Sequence, residues 1–320
     1  MIKLAILLSI ILNTFGLNGV ATNIDRGIVQ ERSGTDSFAH ASIEDLVLPE
    51  LKEPPKVKNF SKQPTNIYAK QYLLIDPDSD IVFASKEPKS KIAIASTTKI
   101  MTATIVLENY DQNEIITISK EASSQIGLDY TTRAGEKITV YNLLKVLLII
   151  SSNRAAYAFA EHVNNPGETG TDKFIRMMND KAKMLGMDNT DYHDAAGLDT
   201  TGYSTAHDLA IITEYAMKKP IFADIVKTDQ GSVTDVNGKI NHELKNSNRL
   251  VADWNYPGAI GVKTGYMPEA SHSLVAAAER DNHTLYAIIL YTLNDTAEAS
   301  AVESRKLLDW GWANIDWGVN

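Results

Sequence analysis

The 320-residue chain contains no cysteine. That excludes disulfides, thiolate nucleophiles and cysteine-held zinc or iron–sulfur centres, and it fits an exported protein without requiring one. Positive charge is in deficit, with 31 lysines and arginines against 40 aspartates and glutamates and a net charge of −9. There is no basic run and no basic patch interleaved with aromatics, so no nucleic-acid partner is expected. A small neutral or acidic substrate remains compatible if positive charge is gathered locally in a cleft. Histidine is sparse as well: there are 7, none in H-E-x-x-H or a comparable spacing. Glu161-His162, His193-Asp194 and His207-Asp208 read as surface or capping pairs, and neither a metal nor any other cofactor is expected. What the chain does have is an ordinary 44% of hydrophobic residues, enough for a full globular core.

Long apolar runs are also lacking. The N-terminal "MIKLAILLSIILNTFGLNGVATN" has Lys3, an apolar stretch from Leu4 to Leu12, and Gly19-x-Ala21 as a small-residue cleavage pattern. Asn13, Thr14 and Asn18 interrupt it, which leaves it short of the roughly 20 residues of a membrane span. Residues 1–21 are therefore expected to be a secretory signal, with an uncleaved anchor as the alternative. Either places the rest of the chain outside the cytoplasm, in the periplasm or extracytoplasmic envelope. Residues 22–65 are polar, include "LKEPPKVKNFSKQPTN" and show no sustained period, so they read as a linker. A single domain over 66–320 follows.

That domain opens with two apolar runs around Asp76-Pro77-Asp78-Ser79-Asp80, the pattern of a β-hairpin. A helix ending near Asn109 comes next. From about 110 to 200 the apolar spacing is helical, as in "TVYNLLKVLLII" and "TDKFIRMMNDKAKMLG", with Gly186 as a stop and Ser204 as the cap of a further helix. The last third returns to strands, with Val236-Asn237-Gly238-Lys239 as a hairpin turn and Asn282 between two long runs, before a helix from about Asp295. Strands early, helices between and strands late predict an α+β fold, a mostly antiparallel sheet with an inserted helical subdomain. Trp310, Trp312 and Trp317 are expected to anchor the last helix, and Arg280 to be a solvated charge at a strand end.

Three short motifs bear on chemistry. In "IASTTKIMTA", Ser96 and Lys99 are one helical turn apart and share a face, so the amine can take the hydroxyl's proton. Ser96 at a helix start is equally an ordinary cap, and roughly one or two S-x-x-K matches arise by chance in such a chain. The amine works as a base only if burial or a neighbouring cation lowers its pKa, which demands a second cation. Lys263-Thr264-Gly265 in "GAIGVKTG" supplies one on a strand placed at the sheet edge, where glycine lets a ligand backbone approach. It is alternatively a charge guarding that edge. Ser151-Ser152-Asn153 in "LLIISSNRAAYAFA" is either a cap in a tight helix-to-helix turn or part of the same site. Order decides between these readings: S-x-x-K, S-x-N about fifty-five residues later and K-T-G about a hundred and ten beyond form the motif set of penicillin-binding proteins and serine β-lactamases.

With these motifs, and with "LGMDNTDYHDAAGLDTTGYSTAHDLA", "GVKTGY" and "ESRKLLDWGW", residues 66 to 314 resemble the low-molecular-mass D-alanyl-D-alanine carboxypeptidases, peptidase family S11. The resemblance implies a β-lactamase/transpeptidase-like fold and a penicillin-sensitive hydrolase acting on the peptidoglycan stem pentapeptide, with β-lactams as covalent ligands. It implies Ser96 as nucleophile, Lys99 as general base and Ser151 as proton relay. Asn153, Lys263, Thr264 and Gly265 would bind substrate, and the backbone N–H groups of Ser96 and Tyr266 would form the oxyanion hole.

Two departures stand out. Many members carry an arginine before the final helix that helps hold the substrate carboxylate, whereas Asp281 to Ser304 contains no lysine or arginine. The familiar enzymes also continue into a β-rich domain and an anchoring helix. Nothing of that kind is expected in the few residues after "LLDWGW", so membrane attachment would fall to the N-terminal segment. Among rival functions, a class A β-lactamase would need an E-x-x-L-N element that "EHVNNPGETGTDKF" lacks. A D,D-endopeptidase uses the same motifs, and a catalytically dead wall-binding homologue would not need a serine beside two lysines.

Overall fold

The computed structural model describes residues 54–58, 63–127, 129, 131–163 and 169–318. The expected leader and most of the linker lie outside them. Among the described residues no helix is long and apolar enough to cross a membrane.

The framework is a five-stranded antiparallel sheet in the order β3-β2-β10-β9-β8, built from β2 (Ala69–Asp76), β3 (Ile81–Lys86), β8 (Ala259–Met267), β9 (Ser271–Arg280) and β10 (His283–Thr292). Its turns follow from local chemistry. Asp76 accepts from the Asp78 N–H and the Ser79 hydroxyl, which closes the first hairpin. Asp281 and Asn282, both at positive φ, close the β9–β10 turn as a two-residue primed turn requires. The runs in β9 and β10 are apolar almost throughout because both faces are covered. Val275, Ala277, Ile288 and Leu290 belong to the core beneath the helices, while Leu274, Ala276, Ala287 and Ile289 alternate into a second core. The second core is closed by α9 (Ala299–Asn314), whose Leu307 and Leu308 are fully buried and contribute about 1.5–3 kcal/mol each. At Gly311 a Cβ would come within 2.9 Å of Leu285 and Leu74, so glycine sets how closely this helix approaches the sheet.

On the other face lie a 3-10 turn (Ala95–Thr98) running into α1 (Lys99–Asn109), then α2 (Lys120–Ser123), α3 (Val140–Ile149), α4 (Asn153–His162), α5 (Gly170–Met184), α6 (Ala206–Met217) and α7 (Pro220–Val226). The expected helical insert is present, but it also holds a two-stranded pair, β4 (Ile115–Thr117) with β5 (Lys137–Thr139). A second pair, β6 (Gln230–Thr234) with β7 (Asn241–Lys245), turns at Gly238 as expected and is followed by α8 (Arg249–Ala252).

Three local expectations need correction. The cap of α6 is Thr205, whose hydroxyl accepts from the Asp208 N–H; Ser204 instead bridges Ile92 through its backbone, which delays the helix by one residue. Arg280 is not merely solvated: its guanidinium lies over the rings of Tyr256 and Trp312 and donates to Pro257 O. Within the expected linker, Lys56–Val57 form β1, which pairs with β11 (Ile315–Asp316) and buries Val57. A single valine opposite Ile315 is too short a run for any periodicity to reveal.

Candidate active site

The site starts from a strained turn. Ala95 has φ +45°, a conformation costly for a residue with a Cβ, so its surroundings must hold it. Two glycines do so by close approach. A Cβ on Gly197 would fall 1.9 Å from Ala95 O, and one on Gly265 would fall 2.9 Å from Ile94 O. Ser96 therefore sits on a 3-10 turn clamped between the loop at Gly197 and the outer edge of β8. The sequence left open whether this serine caps a helix. No cap hydrogen bond is made by its side chain, and the α-helix begins only at Lys99.

Lys99 occupies the first turn of α1 and is fully buried. Its Nζ donates to Ser96 Oγ, Asn153 Oδ1 and Ala196 O, each at 2.7 Å. Three partners match the three protons of an ammonium group. Loss of one proton leaves two N–H groups for Asn153 and Ala196 and a lone pair directed at Ser96 Oγ. Burial drives the Lys99 pKa well below its ordinary value, the Lys263 charge lowers it further, and the Asp194 carboxylate acts in the opposite sense. This is the arrangement a lysine base requires.

Asn153 reaches Lys99 because α3 ends and α4 begins at once. Ser152 takes the cap: its hydroxyl accepts from the Ala155 N–H and donates to Asp129 at 2.5 Å. Ser151 precedes it at φ +63°, half-buried, and is thereby spared the capping role. Asn153 Nδ2 donates to Ile126 O at 2.6 Å, which uses one of its two N–H groups.

Lys263 is buried in the edge strand, where burial pushes its pKa down to about 7; its Nζ donates to Thr264 O at 3.1 Å. Thr264 Oγ1 lies 2.7 Å from Ser247 Oγ, and Tyr266 is exposed at the strand's end. Direct contacts thus join Ser96, Lys99 and Asn153. Lys263 adds its field, and Thr264, Gly265 and Tyr266 follow it along β8. Among the described residues the outer edge of β8 has no strand partner, so its backbone is available to an extended peptide.

The family model described as D-alanyl-D-alanine carboxypeptidase matches residues 58–294. The chain belongs to this family. D-alanyl-D-alanine carboxypeptidase DacF of Bacillus subtilis is 33% identical over 254 residues, covering 78% of this chain and 63% of its own length. The D-alanyl-D-alanine endopeptidase of Haemophilus influenzae is 33% identical over 255 residues, covering 78% of this chain and 84% of its own. The crystal structure of the Streptomyces K15 DD-transpeptidase matches with a TM-score of 0.73 and 33% identity, covering 79% of this chain and 99% of that one. The fold is therefore the DD-peptidase, penicillin-binding fold, and the chain is a member of a family of serine hydrolases.

One residue of this D-alanyl-D-alanine carboxypeptidase homologue was passed over in the sequence. Asp194 read as a surface or capping partner of His193, yet it is buried. Its carboxylate accepts from the N–H groups of Ala196 and Gly197 at 2.5 Å and from that of Asp199, and so fixes the loop whose Ala196 O receives Lys99. The D-x-x-G turn was the available signal. If Lys99 serves as the base, its neutral form is the reactive one, and acylation should rise with pH through the Lys99 pKa. Asp194 raises that pKa, so Asp194→Asn should shift the acid limb to lower pH, and Asp194→Ala should cost a further tenfold or so by freeing the loop. Penicillin acylation rates measured against pH check this; an unmoved limb in Asp194→Asn would show that its charge is not felt at Lys99.

Proposed function

We propose that the protein is a D-alanyl-D-alanine carboxypeptidase that removes the terminal D-alanine of peptidoglycan stem peptides through an acyl-enzyme on Ser96. The observation that carries this reading is the 2.7 Å contact between Ser96 Oγ and a fully buried lysine amine whose pKa is held low. Ser96 Oγ attacks the carbonyl of the penultimate D-alanine while neutral Lys99 takes the hydroxyl proton. The developing oxyanion is held by the N–H groups of Ser96 and Tyr266. Collapse breaks the C–N bond, Ser151 relays the proton held by Lys99 to the leaving amine, which returns Lys99 to its neutral form, and D-alanine departs. Asn153 and β8 hold the peptide, with Thr264 and the Lys263 charge near its terminal carboxylate. Water, deprotonated in turn by Lys99, hydrolyses the ester. A β-lactam acylates Ser96 in the same way, but its amine stays tethered and the ester persists.

For its place of action we infer that residues 1–21 act as an export signal or anchor, that the residues between them and β1 tether the domain, and that the domain works on the cell wall outside the cytoplasm. Cross-link cleavage is the second reading, supported by the endopeptidase relative of equal identity. Both pass through the same acyl-enzyme and differ only in the leaving amine. The test is incubation with an N-acylated peptide ending in D-Ala-D-Ala and with a cross-linked muropeptide dimer, following free D-alanine and dimer loss, beside a fluorescent penicillin. Release of D-alanine with labelling is expected. Dimer loss without D-alanine would assign the endopeptidase, and absence of both with no label would overturn the acyl-enzyme reading.

A further inference from the structure

A substrate that ends in a carboxylate needs a donor for it, and the two lysines of the site are buried and depressed in pKa. The strand register points to another group. Thr264 lies opposite Leu274 and Tyr266 opposite His272, and residues paired across antiparallel strands share a face. Thr264, Tyr266 and His272 are therefore neighbours on one face at the edge of the sheet. The His272 imidazole stacks on the exposed Tyr266 ring, with centroids 4.3 Å apart. Its Nε2 lies 3.3 Å from Asp295 Oδ1, in the segment that leads into α9. In the doubly protonated ring Nε2–H faces Asp295 and Nδ1–H is left to donate elsewhere.

Arg249 is the competing cation, because its α8 follows directly on Ser247, the partner of Thr264. Its guanidinium is already engaged, with Nε donating to Ala297 O and Nη1 to Asp253. We infer that His272, oriented by Asp295 and stacked beneath Tyr266, receives the terminal carboxylate of the substrate together with Thr264. This rests on the carboxypeptidase reading above and adds a specificity residue to it. It also accounts for a segment from Asp281 to Ser304 without lysine or arginine: that segment supplies the acid which orients an imidazole, and the donor comes from β9.

The test compares an N-acyl-L-Lys-D-Ala-D-Ala peptide with the same peptide carrying a C-terminal carboxamide, for the wild type, His272→Ala, His272→Arg and Arg249→Ala. The expected result for His272→Ala is a KM for the acid about tenfold higher, the size of one charge-assisted hydrogen bond, with kcat within about twofold and the amide unaffected. His272→Arg should restore the preference for the acid. Equal losses on both peptides would reduce His272 to a packing partner of Tyr266 and overturn the inference. So would loss of the acid preference in Arg249→Ala while His272→Ala keeps it. A wild-type protein that neither hydrolyses the acid nor takes a penicillin label would instead sink the carboxypeptidase reading, and this inference with it.

Discussion

Ser96→Ala is expected to abolish covalent penicillin labelling and to lower D-alanine release by about 10⁴-fold or more, with the protein still folded. The size follows from the way groups that act as a unit fail together: without the hydroxyl there is no acyl-enzyme, and only the binding cleft and oxyanion donors remain. Stability should change little. The side chain contributes no cap, and its hydrogen bond is the one with Lys99, so removal deletes one hydrogen bond of about 1 kcal/mol. The strained turn is unaffected, because Ala95 is held by Gly197 and Gly265 and not by the serine side chain. Intact-mass detection of the penicillin adduct, read beside thermal unfolding, checks both halves. An adduct on the folded variant would remove Ser96 from the nucleophile role.

How far the site was legible in the sequence depended on the range of the interaction. Ser96 and Lys99 are three residues apart, so helical spacing alone brought them within reach. The hairpins were readable because Asp76, Asn282 and Gly238 carry turn chemistry locally. Convergence of the three motifs was not derivable from spacing; it rested on their order and on family resemblance. Asp194 shows the limit. Beside His193 it looks like a surface pair, and only the tertiary approach of its loop to Ala95 and Lys99 turns it into a buried carboxylate whose charge is felt at Lys99. Ser152 and Asp129 show the same limit: a cap was foreseeable in Ser151-Ser152-Asn153, but which serine would cap was fixed by an aspartate 23 residues away. His272 was invisible for a further reason, since its partners Tyr266 and Asp295 are set by strand register and by the segment before α9.

Lys99 offers the sharper test of mechanism, because two replacements separate charge from proton transfer. Lys99→Met keeps much of the volume and removes the amine; Lys99→Arg keeps a cation and hydrogen-bond donors but cannot give up its proton near neutrality. If the lysine served mainly as a positive charge at the oxyanion, arginine would retain much of the rate. If it is the base, both variants should lose about 10³-fold or more in penicillin acylation, within the range for deleting a general base from a coupled site. The pH profile adds an independent readout. Burial and the Lys263 charge hold the Lys99 pKa well below the ordinary lysine value, so the wild-type rate should climb with pH at values where a solvated lysine would still be protonated. That limb should vanish in Lys99→Met, because the group that titrates is gone. Stability should not follow activity. Methionine leaves Asn153 Oδ1 and Ala196 O without their donor, but it also relieves the cost of keeping an amine in a site with no solvent exposure, and the two effects oppose each other. A variant as stable as the wild type yet about a thousandfold slower would mark Lys99 as a residue kept for proton transfer at no gain to the fold, whereas a fast Lys99→Arg would move the base elsewhere.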